Sequence, residues 1–84
     1  MVVQVVVVTS GGCHLCGDAV ECLAELSREF PLEVREVDID SSEGRDIVRV
    51  YHPAMPPAVL VDGALFSVGR LPRKKLRRKL ERAA

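Results

Sequence analysis

The chain opens on Val2-Val3-Gln4-Val5-Val6-Val7-Val8-Thr9, a β-branched run broken only by Gln4. Branching at Cβ stiffens the side chain and favours extended backbone. A strand that is apolar at both odd and even positions has almost no face to offer water. It belongs in the middle of a sheet, with helices covering both sides. The run is far shorter than the roughly 18 apolar residues that span a bilayer, and it lacks the basic flank of a signal peptide. With 48% hydrophobic and 29% charged residues in 84, the composition is globular rather than disordered. The expectation is one soluble, cytoplasmic domain over residues 1–84.

Ser10-Gly11-Gly12 breaks the first strand. From Cys13 to Glu29 apolar residues recur at Cys16, Val20, Leu23 and Leu26, continuing to Phe30. Asp18, Glu21, Glu25 and Glu29 fall on another face, as an amphipathic helix requires, and Pro31 closes it. Glu33–Ile39 alternates Val34, Val37 and Ile39 with charge and predicts a second strand. Asp40 and Glu43 have capping-box spacing for a helix running to about Tyr51, which Gly44 should weaken. Ala58–Val61 and Leu65–Val68 flank Asp62-Gly63, a strong hairpin turn. Pro72 then opens a helix with Leu76 and Leu80 on one side. The order is β-α-β-α-β-β-α. A right-handed crossover makes the first two strands parallel, the hairpin adds antiparallel strands, and the valine strand lies centrally.

Cys13-His14-Leu15-Cys16 is the chemically distinctive segment. Three cysteines make a poor disulfide framework for a secreted mini-protein, whereas CxxC in a cytosolic chain points to redox chemistry or metal binding. A cysteine reacts as thiolate, and a free pKa of about 8.5 leaves little of it near neutrality. Cys13 stands where a glycine turn feeds a helix N-terminus, whose unpaired N–H groups and dipole favour an anion; a protonated His14 pushes the same way. Cys16 follows on the same helical face. This makes Cys13 the attacking sulfur and Cys16 the resolving one. The rival readings are an inert pair, an iron–sulfur cluster shared by two chains, or half of a zinc site. Zinc needs two further ligands, and the chain offers only Cys22, His14, His52 and scattered carboxylates. No metal ligand set is assigned. Cys22 lies about 9 Å along the helix from Cys16, too far for a disulfide, and is expected to pack as a small hydrophobe.

Strand, glycine turn and CxxC, then Val37-Asp38-Ile39-Asp40, Tyr51 and Pro57-Ala58-Val59-Leu60-Val61-Asp62-Gly63 together resemble a glutaredoxin-like member of the thioredoxin superfamily, over nearly the whole chain. The resemblance implies a thioredoxin fold, an α/β architecture with a central four-stranded mixed sheet flanked by helices. It also implies thiol–disulfide oxidoreductase activity on a protein or low-molecular-weight disulfide. In that family a cis-proline opens the next-to-last strand beside the cysteines, here Pro57. The residue before it lends backbone groups to the substrate; that residue is Pro56, which has no N–H, unless Pro56 itself is cis and Met55 takes the role. A Gly-Gly and an acidic pair before the last helix are replaced by Val68-Gly69-Arg70-Leu71-Pro72, and the usual Pro-Tyr of the motif by His14-Leu15. The resemblance thus carries a substrate surface onto Leu15, Met55, Pro56, Pro57, Gly69 and Arg70. It implies no resident cofactor and leaves glutathione as one candidate co-substrate. The first strand lacks the acid that thioredoxins bury there to assist proton transfer, and His14 is the alternative proton carrier.

A net charge of zero conceals an asymmetry: residues 1–69 hold 4 basic and 11 acidic side chains, residues 70–84 hold 8 basic and Glu81 alone. The basic helix either docks by Leu76 and Leu80 with its cations solvated, or presents them to an acidic partner, nucleic acid or an anionic membrane surface. No aromatic residue interleaves Arg73–Leu80, which argues against nucleic-acid binding by base stacking. A non-enzymatic adaptor, binding an acidic partner through Arg70–Arg82, is therefore the rival to the oxidoreductase.

Overall fold

A computed structural model describes residues 2–83. Seven elements follow in the expected order: β1 (Val3–Thr9), α1 (His14–Leu26), β2 (Leu32–Asp38), α2 (Ser42–Tyr51), β3 (Ala58–Val61), β4 (Ala64–Val68) and α3 (Arg73–Ala83). The sheet order is β2-β1-β3-β4, with β1 parallel to β2 and antiparallel to β3, and β4 antiparallel to β3. The valine strand is central, and its residues divide between the two faces. Val3, Val5 and Val7 pack with Leu23 and Leu26 of α1 and with Leu76 and Leu80 of α3. Val8 packs on the opposite face with Val37 and Ala58, with Val6, Ile39 and Ile47 against them. Both layers the valines demanded are thus supplied, α1 and α3 on one side and α2 on the other.

The hairpin turn forms as its residues dictate. Asp62 and Gly63 both take positive φ, 48° and 83°, the geometry that Asp-Gly tolerates and the strand twist requires. The turn is tied to β1 twice: the Gln4 N–H donates to Asp62 Oδ1 at 2.9 Å, and the Asp62 N–H to the Gln4 carbonyl at 2.8 Å.

Two helix boundaries differ from the sequence expectation. Helix α1 ends at Leu26 rather than Glu29. There the Ser27 hydroxyl donates to the Ala24 carbonyl at 2.7 Å, and the Arg28 and Glu29 amides bond only three residues back, so the chain tightens into a turn that brings Phe30 onto the core. Helix α2 is capped by Ser41, not Asp40: its side chain accepts the Gly44 N–H at 3.0 Å. Gly44 is at that position for space. A Cβ there would collide with the Asp38 carbonyl and lie 2.9 Å from Ile39 Cα.

Candidate active site

The C-terminal end of β1 runs through Ser10-Gly11-Gly12 into α1, and Gly12 makes the bend at φ 70°. Cys13 is the N-cap of α1, in extended backbone, and its sulfur accepts the Cys16 N–H at 3.2 Å. Cys13 and Cys16 are joined as a disulfide with Cα atoms 5.2 Å apart. Their exposures differ in a useful direction: Cys13 is half-buried at the surface, whereas Cys16 is 4% exposed behind it. Cys22 is free and buried in the α1–α3 core. Burial pushes its thiol pKa up; Arg73 and Arg77 act the other way, and Glu25 adds to the rise.

An open cavity of about 670 Å³ lies beside the disulfide, lined by Cys13, His14 and Cys16 together with Thr9, Asp18, Glu21 and Glu36. Sequence reasoning missed the acidic character of this wall. Asp18 and Glu21 could have been found, since they follow the CxxC on the exposed side of α1. Glu36 comes from β2 and reaches the site because Val7 and Glu36 are register partners; the Thr9 hydroxyl donates to its carboxylate at 2.9 Å. An acid therefore does stand near the cysteines, from the second strand rather than the first.

None of the residues expected to form the substrate surface lines that cavity. Pro57 is the cis residue, in the bond Pro56–Pro57, and it is fully buried. It lies one residue beyond the Val8–Ala58 pair, at the end of the sheet from which the Ser10–Cys13 loop leaves. Gly69, at φ 78°, donates its N–H to the Pro57 carbonyl at 2.9 Å and lies against Met55, which is 48% exposed. Leu15 and Arg70 share a smaller cavity of about 150 Å³ with Asp18 and Cys22. Asp18 lines both cavities. Among the described residues no three His, Cys, Asp or Glu side chains converge as a metal site. Nor is any described helix long and apolar enough to cross a membrane.

Fold and cysteine geometry together define a thioredoxin-fold protein with a CxxC pair at disulfide distance. Mitochondrial thioredoxin 3 of Saccharomyces cerevisiae in its oxidised form superimposes with a TM-score of 0.70 at 20% identity, over 95% of this chain and 77% of that one. Oxidised thioredoxin O2 of Arabidopsis thaliana gives 0.71 at 19% identity, over 95% and 73%. A thioredoxin-like protein of Clostridium perfringens gives 0.75 at 14%, over 96% and 70%. Within that class, the chain belongs to the glutaredoxin-like domain family (DUF836), whose model it matches over residues 4–81. Uncharacterized proteins Rv0508 of Mycobacterium tuberculosis and Mb0520 of Mycobacterium bovis are each 33% identical to it over 82 residues, 95% of this chain and 84% of theirs.

Proposed function

We propose that the protein is a thiol–disulfide oxidoreductase in which Cys13 attacks and Cys16 resolves. The observation that carries this reading is the asymmetry of the pair at the start of α1: an accessible sulfur capping the helix, a buried one behind it. In the reduced protein a Cys13 thiolate keeps the Cys16 N–H and the positive end of the helix, both of which stabilise the anion. It attacks one sulfur of a substrate disulfide; that bond breaks, and the other half leaves as a thiolate that takes a proton from water. Cys16, once deprotonated, attacks Cys13 Sγ and releases the second substrate thiolate. The substrate gains two electrons, Cys13–Cys16 becomes the disulfide, and a thiol reductant restores the dithiol. The two sulfurs carry this chemistry without a resident cofactor. Glutathione is one candidate for the restoring thiol. His14, at the cavity rim, supplies positive charge when protonated, and Leu15, Met55, Pro56, Pro57, Gly69 and Arg70 form the substrate surface. A reducing cytoplasm is the setting in which such a dithiol would cycle.

The substrate that fits best is a protein disulfide. Asp18, Glu21 and Glu36 line the cavity beside the sulfurs, and their charge disfavours a ligand as anionic as glutathione disulfide. Pro56 offers an incoming peptide only its carbonyl.

The test is a redox titration of the purified protein in dithiothreitol buffers, with free thiols trapped and counted by mass. A reversible two-electron step confined to Cys13 and Cys16 is expected. Reductase turnover should vanish in Cys13→Ser, while Cys16→Ser should accumulate a mixed disulfide on Cys13. Full turnover in Cys13→Ser, or no disulfide between the pair under oxidising conditions, would sink the proposal.

A further inference from the structure

Helix α3 directs its cations to two sides. Arg73 and Arg77, four residues apart, pair with Glu25 of α1 and with Glu29 in the turn after it. Lys75, Arg78, Lys79 and Arg82 recur at i, i+3, i+4 and i+7, the spacing of a single stripe along a helix. All four are exposed, and among the described residues none is in an ion pair. Like charges at these separations repel, so the stripe costs the isolated helix stability rather than adding to it.

The stripe borders a cleft of about 460 Å³ whose other wall is Leu65 and Phe66 of β4. Successive strand residues ordinarily point to opposite faces. Here the pairing shifts, with Ser67 opposite Val59 and Leu65 opposite Leu60. Phe66 is the extra residue of a β-bulge, which lets two consecutive apolar side chains line one cleft. Lys75 Nζ sits 5.5 Å from the Phe66 ring centroid.

We propose that the α3–β4 cleft docks an acidic polypeptide segment, Asp/Glu-rich with an apolar side chain between the carboxylates. Four unpaired cations around an apolar wall are complementary to that chemistry. Nucleic acid fits less well, because the one aromatic ring lining the cleft already has Lys75 over its face, whereas single strands bind by stacking bases on open rings. β4 is an edge strand, but its bulge interrupts the ladder, so the segment is read by side chains rather than by adding a strand. The site is independent of the cysteine chemistry.

The test is fluorescence anisotropy of the full chain with a short labelled Glu/Asp peptide carrying a central Leu. Saturable binding that weakens with added salt is expected, with a loss of about tenfold or more in Arg78→Glu/Lys79→Glu. Replacing the peptide's Leu by Gly should weaken binding as well. Lys75→Gln/Lys79→Gln is the milder variant, and both double variants should unfold at or slightly above the parent's temperature and keep its disulfide-reductase turnover. Unchanged affinity in both would overturn the proposal, as would tighter binding of a single-stranded oligonucleotide of equal charge, which would make nucleic acid the occupant.

Discussion

Cys13 and Cys22 lie on one helix in opposite environments. The first caps the helix at the surface; the second is 9% exposed in the core, where burial raises its thiol pKa. When the reduced protein is alkylated near neutral pH, Cys13 should therefore react many times faster than Cys22, as mass mapping of the labelled peptides would show. Equal rates would remove the physical basis for naming Cys13 the nucleophile. The acidic wall makes a separate prediction. Asp18→Asn/Glu21→Gln should raise the rate with glutathione disulfide, and added salt should narrow the gap between variant and parent. No change in either would mean that these carboxylates do not select the substrate. The placement of the cysteine pair, Cys13 at the start of α1 and Cys16 one turn on, could be read from the sequence because helix N-termini, glycine turns and CxxC spacing are all local. Glu36 could not, because its place beside Thr9 depends on which residues of two distant strands become partners, and that is settled by packing.

Among the elements, α2 shows where local rules stop. Helix propensity alone says that Gly44→Ala should stabilise the protein by up to about 1 kcal/mol. The backbone of Asp38 and Ile39 occupies the space a methyl group would need, so the substitution should destabilise, and denaturant unfolding reads the sign directly. A gain in stability would show that the Asp38–Ile39 backbone yields more easily than its packing suggests. The Ser41 cap was missed for a related reason. Asp40 and Glu43 have the right spacing, but the Asp38 side chain takes the Asp40 N–H at 2.7 Å and the chain reaches helical geometry one residue later. For α3 the leucine stripe was legible, and it does the docking: Leu76 and Leu80 are 0% and 1% exposed. Leu80→Ala should cost about 2–5 kcal/mol in the same unfolding measurement.

Across the whole molecule, ion pairs tie separate elements together: Arg77 of α3 to Glu29 after α1, and Arg35 of β2 to Glu43 of α2. Their hydrogen bonds hold both glutamates below the ordinary carboxylate pKa of about 4.5. A folded pKa lower than the unfolded one means stability that is present above the unfolded value and lost as pH falls through the folded one. Thermal midpoints should therefore fall below about pH 4.5, less steeply in Arg77→Gln, and the difference should shrink in high salt, since both carboxylates are exposed. A parallel fall in parent and variant would assign the acid sensitivity to other groups. The sequence made the charge asymmetry plain. That two of the eight cations pair with Glu25 of α1 and Glu29 just after it emerges only once the helices lie side by side.

The carboxylates around the disulfide and the cations along α3 give a chain of zero formal net charge two separate patches of opposite sign. A neutral body that carries such patches turns in the field of a charged neighbour before it arrives, so encounters begin partly oriented. The same poles draw copies of the protein together head to tail when few ions intervene. Its solubility should thus be lowest in dilute buffer and rise with the first additions of salt, the salting-in of a dipolar ion rather than the behaviour of an evenly charged sphere.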